Sequence, residues 1–147
     1  MKTVSLRFGE HFAPECGTIA THQGLIDEVG YVWWGKLGSA VSAKIISDII
    51  QQDIPKILLI NSSKVERYWA YISAIVQEQP SSGEFPSYYQ DKAEKMKTWF
   101  KVSCFEKAPK DIMSHCFIVS SGSPLSEASR YSMSRYFIIR YEEEEIE

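Results

Sequence analysis

At 147 residues, 44% of them hydrophobic, the chain has material for one domain with one core and too little for two. Its net charge is −3 and four of its acids form the run 142–145, so the body before that run is near neutral or slightly basic. That balance excludes a protein that draws its affinity mainly from many phosphate contacts, which requires a clear basic excess. Uninterrupted apolar runs such as 57–60 fall far short of the roughly 20 residues a spanning helix needs, and no basic stretch followed by an apolar one opens the chain. Neither membrane insertion nor export is expected.

In chain order, residues 3–8 (TVSLRF) alternate apolar and polar side chains and predict a strand closed by Gly9, followed by a loop over 10–17. A helix is expected from Thr18 or Thr21 to Glu28, with a threonine N-cap, Gly30 as terminator, and Ile19, Leu25, Ile26 and Val29 on one face. Residues 31–34 favour a strand that Gly35 breaks. After Gly38 and Ser39, the spacing of Val41, Ile45, Ile46, Ile49 and Ile50 predicts an amphipathic helix over 40–52, ended by Pro55.

Residues 56–60 predict a short apolar strand, 61–65 a turn, and 67–77 (RYWAYISAIVQ) a second strand antiparallel to the first. On that second strand Ala70, Ile72, Ala74 and Val76 are expected on one face and Trp69, Tyr71, Ser73 and Ile75 on the other. The segment 78–87 (EQPSSGEFPS) has loop composition, and 98–105, 116–120 and 136–141 predict three more strands. Between the last two, 120–134 holds seven serines in fifteen residues and reads as an ordered polar loop with one helical turn. The expected architecture is α+β: about six strands in a small curved mixed sheet or barrel, flanked by two or three helices. Residues 1–141 form a single domain in this reading, and 142–147 an acidic tail or the start of a linker.

Three cysteines, Cys16, Cys104 and Cys116, are an odd number at irregular spacing, which predicts reduced thiols in a cytoplasm rather than a disulfide framework. No Gly-rich phosphate loop, HExxH or GxSxG is present. His11, Cys16 and His22 are too loosely spaced for a metal site, and His115 and Cys116 would point apart on a strand, so no metal or other cofactor is expected. A nucleophile pair of Cys104 with His115 is conceivable, yet nothing in the sequence selects it over a buried thiol and a surface imidazole, and the chain reads as a non-enzyme.

Aromatic residues are the remaining signal, at 13% with four Trp and eight Tyr. Large rings can simply fill a small β core; they can also wall a pocket. The order of elements favours the second use. A strand, a loop and helix, a tryptophan strand ending at a small residue (VWWGK), a helix, an apolar strand with a polar turn (ILLINSS), a strand carrying Y-x-A-x-I-x-x-I, an aromatic loop and a strand beginning T-W-F resemble the PUA-like superfamily, especially its EVE and YTH branches. ASCH domains share the architecture but carry G-x-K-x-x-E-x-R, and the chain lacks that acid and arginine after Gly35.

The resemblance implies a binding module that takes one flipped-out, methylated base of a nucleic acid between aromatic walls. For the EVE branch the nucleic acid is DNA and the setting a modification-dependent restriction or defence system, with a nuclease or AAA+ domain or subunit as partner. Trp34 would form one wall, with Trp33 as core, and Gly35 beside it would expose backbone amides. Tyr88 or Tyr89, or else Phe85, would form the second wall, where the YTH branch has tryptophan. Asn61 and Ser62 would read the base edge, and Lys36, Lys44, Arg130 and Arg135 would meet backbone phosphates. The same pocket would suit a free nucleotide or nucleobase, and rings that prove wholly buried would leave a plain interaction domain.

Overall fold

The computed structural model describes residues 1–10, 13–62, 66–132 and 134–141. The expected tail over 142–147, His11 and most of the 61–65 turn therefore lie outside the described residues. Seven strands form one mixed sheet: β1 (Lys2–Phe8), β2 (Val32–Leu37), β3 (Lys56–Asn61), β4 (Arg67–Val76), β5 (Met96–Lys107), β6 (Cys116–Ile118) and β7 (Tyr136–Tyr141), in the order β2-β5-β4-β3-β1-β7-β6. Three helices accompany them, α1 (Thr18–Val29), α2 (Ala43–Ile50) and α3 (Leu125–Tyr131). β1 and β3 run parallel, and every other neighbouring pair is antiparallel.

β3 holds the sheet together because all of its residues are buried. Alternation sends Ile57 and Leu59 into the larger core, under α1 and α2, and Leu58 and Ile60 into a second core on the opposite face, under α3 and the short 3₁₀ turn Ile112–His115. A strand covered on both faces reads as a continuous apolar run, which is what KILLI is. A third, smaller cluster gathers Phe85, Tyr89, Ala93, Met96 and Trp99.

α2 is shorter than the 40–52 periodicity suggests, because Ser42 caps it: its side chain accepts from the Ile45 amide at 3.3 Å. Ile45 and Ile49 are the residues it buries, each worth about 1.5–3 kcal/mol. α1 has no threonine cap. Gly17 occupies that position at φ 98°, and the amide of Thr18 donates instead to the Glu10 carboxylate at 2.9 Å. A side chain at position 17 would crowd that same carboxylate oxygen, at 3.1 Å, so the glycine serves both the backbone and the cap. Gly30 ends the helix in the left-handed conformation. On the expected apolar face Ile19, Leu25 and Ile26 reach the core, whereas Val29 is exposed and the fully buried residues are Thr18 and His22.

Two strands depart from simple alternation. In β4 the pairing with β5 shifts between Tyr71 and Ile72 and again between Ile72 and Ala74, and the irregularity inverts the pattern beyond it. Ile72 and Ile75 therefore both reach the larger core, although strict alternation would put them on opposite faces. β2 does not break at Gly35; it continues to Leu37, with Gly35 opposite Trp99 on β5. Glycine is needed there for room, since a Cβ would lie 2.1 Å from Met96 Sδ and 3.0 Å from the Trp99 ring.

That close approach predicts that Gly35→Ala lowers stability by about 1–3 kcal/mol through overpacking. Because the nearest atom belongs to Met96, Gly35→Ala combined with Met96→Ala is expected to cost less than the sum of the two single changes in a double-mutant unfolding cycle. Strict additivity would show that Met96 does not mediate the clash.

Candidate functional site

The sheet curls without closing. β2 is left at one edge, yet Trp34 on it meets Phe8 at the end of β1, edge to face with ring centroids 5.4 Å apart. Where hydrogen bonding would have closed a barrel, a cavity of about 580 Å³ opens instead, between residues 6–9, residues 34–39 and residues 134–136, with Tyr88, Tyr89, Lys92 and Met96 along another side. This volume falls within the roughly 300–1,000 Å³ typical of sites for small organic ligands.

His22 organises the aromatic wall. Its ring lies against Trp34, centroids 4.4 Å apart and planes 31° from parallel, and meets Tyr89 at 5.3 Å. Nδ1 is 2.8 Å from the Thr18 carbonyl, which can only accept, so Nδ1 carries the proton. Nε2 is then the acceptor for the Tyr89 hydroxyl at 2.9 Å. This bond ties the loop carrying Tyr88 and Tyr89 to α1. Burial pushes the His22 imidazole down to about 4, against the opposing pull of the Thr18 carbonyl, and the ring is neutral near pH 7. Burial also raises the Tyr89 and Tyr88 phenols above their ordinary value, so both stay protonated.

The electrostatics of the cavity oppose the net charge of the chain. Arg7, Lys36, Lys92 and Arg135 line it, and no carboxylate does so among the described residues. Lys36 is nearly buried; its Nζ donates to the Ser39 carbonyl at 2.6 Å and the Leu37 carbonyl at 3.3 Å and stands 4.6 Å above the Tyr136 ring, which also lines the cavity. Burial lowers its pKa below the usual lysine value. The Arg7 guanidinium points elsewhere, donating to the carbonyls of Ser129 (2.8 Å) and Ser132 (3.3 Å).

Of the residues singled out from the sequence, Trp34, Gly35, Lys36, Tyr88, Tyr89 and Arg135 meet around this cavity. Trp33 points to the other face of β2, against the Trp99 cluster, and Phe85 lies inside that cluster at 2% exposure. Asn61 is buried away from the cavity, with Nδ2 3.3 Å from Glu10 Oε1, and the exposed Ser62 gives its amide to the Phe8 carbonyl. Lys44 is exposed on α2, and Arg130 lines a different crevice. Phe8, His22 and Tyr136 belong to the site without having been singled out for a base pocket. Only His22 carried a usable signal, four residues after Thr18 on the inward side of a helix.

Cys104 and His115 are not brought together: the Cys104 thiol faces the Phe105 carbonyl, and His115 Nε2 lies 3.1 Å from Asp111 Oδ2. Burial pushes the Cys116 thiol up to about 12, leaving it a protonated core residue. No three His, Cys, Asp or Glu side chains are grouped to hold a metal among the described residues. No helix among them is long and apolar enough to cross a membrane.

The His22 assignment predicts a pH dependence. With its pKa lower in the folded chain (about 4) than in the unfolded one (6.5), the unfolded state binds more protons between those values. Stability is therefore full above pH 6.5 and falls as the pH drops towards 4, by about 3 kcal/mol for this group. Urea unfolding at a series of pH values should show His22→Gln less stable at neutral pH but with a shallower decline across that window. Parallel curves for the two proteins would contradict the neutral, buried imidazole.

A family model described as Pua-like matches residues 4–147. No curated protein and no solved structure gives a significant match. The match spans nearly the whole chain, and the seven-stranded mixed sheet with three helices agrees with it. The chain belongs to the PUA-like family, whose domains commonly bind nucleic acids or ligands and are generally binding modules rather than enzymes.

Proposed function

We propose that this PUA-like domain is a reader that takes one modified base, flipped out of a nucleic acid, into the cavity between Trp34 and Tyr88. The observation that carries the reading is a cavity walled by aromatic rings and lined by Lys36, Lys92 and Arg135, with no carboxylate among the described lining residues, in a chain of net charge −3. Positive charge gathered beside aromatic rings suits a ligand that is flat, apolar on its faces and anionic at its attachment. His22 stacks on Trp34 while Phe8 and Phe105 meet it edge to face, so Trp34 lines the cavity with the small part of its ring those contacts leave, and Tyr88, half-buried, faces the same space. A methyl group on the base adds apolar area for these rings to cover, and each stacked base is worth roughly 1–3 kcal/mol. Lys36 has a third N–H beyond the two that Ser39 and Leu37 accept, and Arg135 at the exposed rim suits a flanking phosphate.

Within the family we assign the chain to the EVE and YTH side, reading methylated DNA as the specificity module of a restriction or defence system, with a nuclease or AAA+ partner supplying the chemistry. A second reading is supported by the depth of the walls: Trp34 and Tyr89 are 4% and 6% exposed, an enclosure that a free nucleotide or nucleobase would also fill.

Binding of duplex and single-stranded oligonucleotides, plain or carrying methylated cytosine or adenine, separates these readings. The reader binds a methylated oligonucleotide more tightly than the plain one, and Tyr88→Ala, at a half-buried ring, weakens that binding about 5- to 100-fold. Trp34→Phe, which keeps an apolar ring on the core side, narrows the preference for methylation. Stabilisation by free nucleotides with none by DNA would favour the second reading. Equal, micromolar or weaker binding to every oligonucleotide would remove the first.

A further inference from the structure

On the opposite face of the sheet, a second cavity of about 310 Å³ lies where α3 meets the 3₁₀ turn Ile112–His115, with Arg67 at its base. Arg67 opens β4 beside Ile60 of β3, which carries its side chain into the core on that face. Its guanidinium is poorly satisfied: Nε points at the Met113 sulfur at 2.9 Å, a weak acceptor, and Nη1 is buried with no hydrogen-bond partner. A buried guanidinium nitrogen lacking an acceptor is a costly arrangement that an incoming anion relieves.

The rest of the lining suits the same ligand. Lys110 and Arg130 flank the opening, both exposed, and Ser126 contributes a hydroxyl. Asp111 is the one acid there, and it faces His115 Nε2 at 3.1 Å. Three cations against one engaged carboxylate leave the crevice positive, and a tetrahedral oxyanion offers the several acceptors that a guanidinium, an ammonium and a hydroxyl require.

We propose that this crevice is a phosphate site, centred on Arg67 and completed by Lys110, Arg130 and Ser126. It stands independently of the base cavity, since none of these four residues lines that cavity. The phosphate comes either from a nucleic-acid backbone or from a free phosphate group.

Thermal unfolding of the full chain in inorganic phosphate, against chloride of equal ionic strength, tests the site. Phosphate is expected to raise the parent Tm by several degrees more than it raises that of Arg67→Met. In chloride, Arg67→Met should be at least as stable as the parent, because it removes a buried, unsatisfied charge. Arg130→Gln and Lys110→Gln, at exposed positions, should each reduce the phosphate response without changing the Tm in chloride, and they decide the matter if Arg67→Met does not fold. An equal phosphate response in the parent and all three variants overturns the proposal.

Oligothymidylate binding separates the two sources. A backbone phosphate predicts weaker binding by Arg130→Gln and a salt slope smaller by about 0.7. A free phosphate predicts unchanged oligothymidylate binding together with the lost phosphate response. Neither readout involves methylated bases or Trp34, so this site and the base reader can fail separately.

Discussion

A neutral imidazole buried between α1 and the open edge of the sheet is the constraint on which the candidate site depends. His22 joins three otherwise separate elements: the helix through the Thr18 carbonyl, the edge strand through the face of Trp34, and the aromatic loop through the Tyr89 hydroxyl. Its two nitrogens have opposite hydrogen-bonding roles, so the ring has one tautomer and one orientation. A phenylalanine could stack on Trp34 but would leave the Tyr89 hydroxyl buried without its acceptor. The wall of the cavity is thus fixed by a polar network inside an apolar core, which favours one arrangement of the loop over the many that packing alone would tolerate.

The curl of the sheet explains why a cavity forms at this place. The pairing of β4 with β5 is irregular, which favours a local bend, and Trp34 on β2 comes round to meet Phe8 on β1. β2 arrives close enough for Trp34 to touch Phe8 but forms no ladder with β1 or β7. Side chains at the ends of these strands are left lining a gap. An incompletely closed sheet therefore produces a cleft without needing a long insertion, and the residues that line it come from strand ends far apart in sequence.

Much of this architecture was legible in the sequence because it depends on local periodicity. The apolar run of β3, the alternation of β1, the isoleucine spacing of α2 and Gly30 at the end of α1 each carry their own signal. What was not legible depends on a partner elsewhere in the chain. Gly35 looks like a strand breaker until Trp99 and Met96 are seen to fill the space its missing side chain leaves. The inverted face of Ile75 follows from a bulge whose cause lies in the β5 register, and the cap of α1 comes from Glu10, eight residues before the amide it receives. The site divides along the same line. Trp34 and Tyr88 can be selected from strand phase and loop composition and His22 from its place on the inward side of α1, whereas Phe8 and Tyr136 join the cavity only through tertiary closure, and Phe85, four residues from Tyr89, is buried in the Trp99 cluster.

Charge is distributed with the same dependence on tertiary structure. A net of −3 suggests little affinity for phosphates, yet the cavity beside Trp34 and the crevice beside Arg67 are both lined mainly by cations. Arg7, Ile60 and Arg67 lie side by side across β1, β3 and β4, so both arginines emerge on the face that α3 covers. Arg7 is satisfied there by the carbonyls of Ser129 and Ser132, and it thereby anchors the end of α3 to the sheet. Arg67, two strands away, has no such carbonyl for Nη1. The same helix therefore closes over one arginine and leaves the other facing a crevice. If α3 existed only to cover the sheet, an apolar residue at position 67 would do so with less strain, since burying a guanidinium without an acceptor opposes folding. Its presence is accounted for by a ligand whose negative charge completes the site.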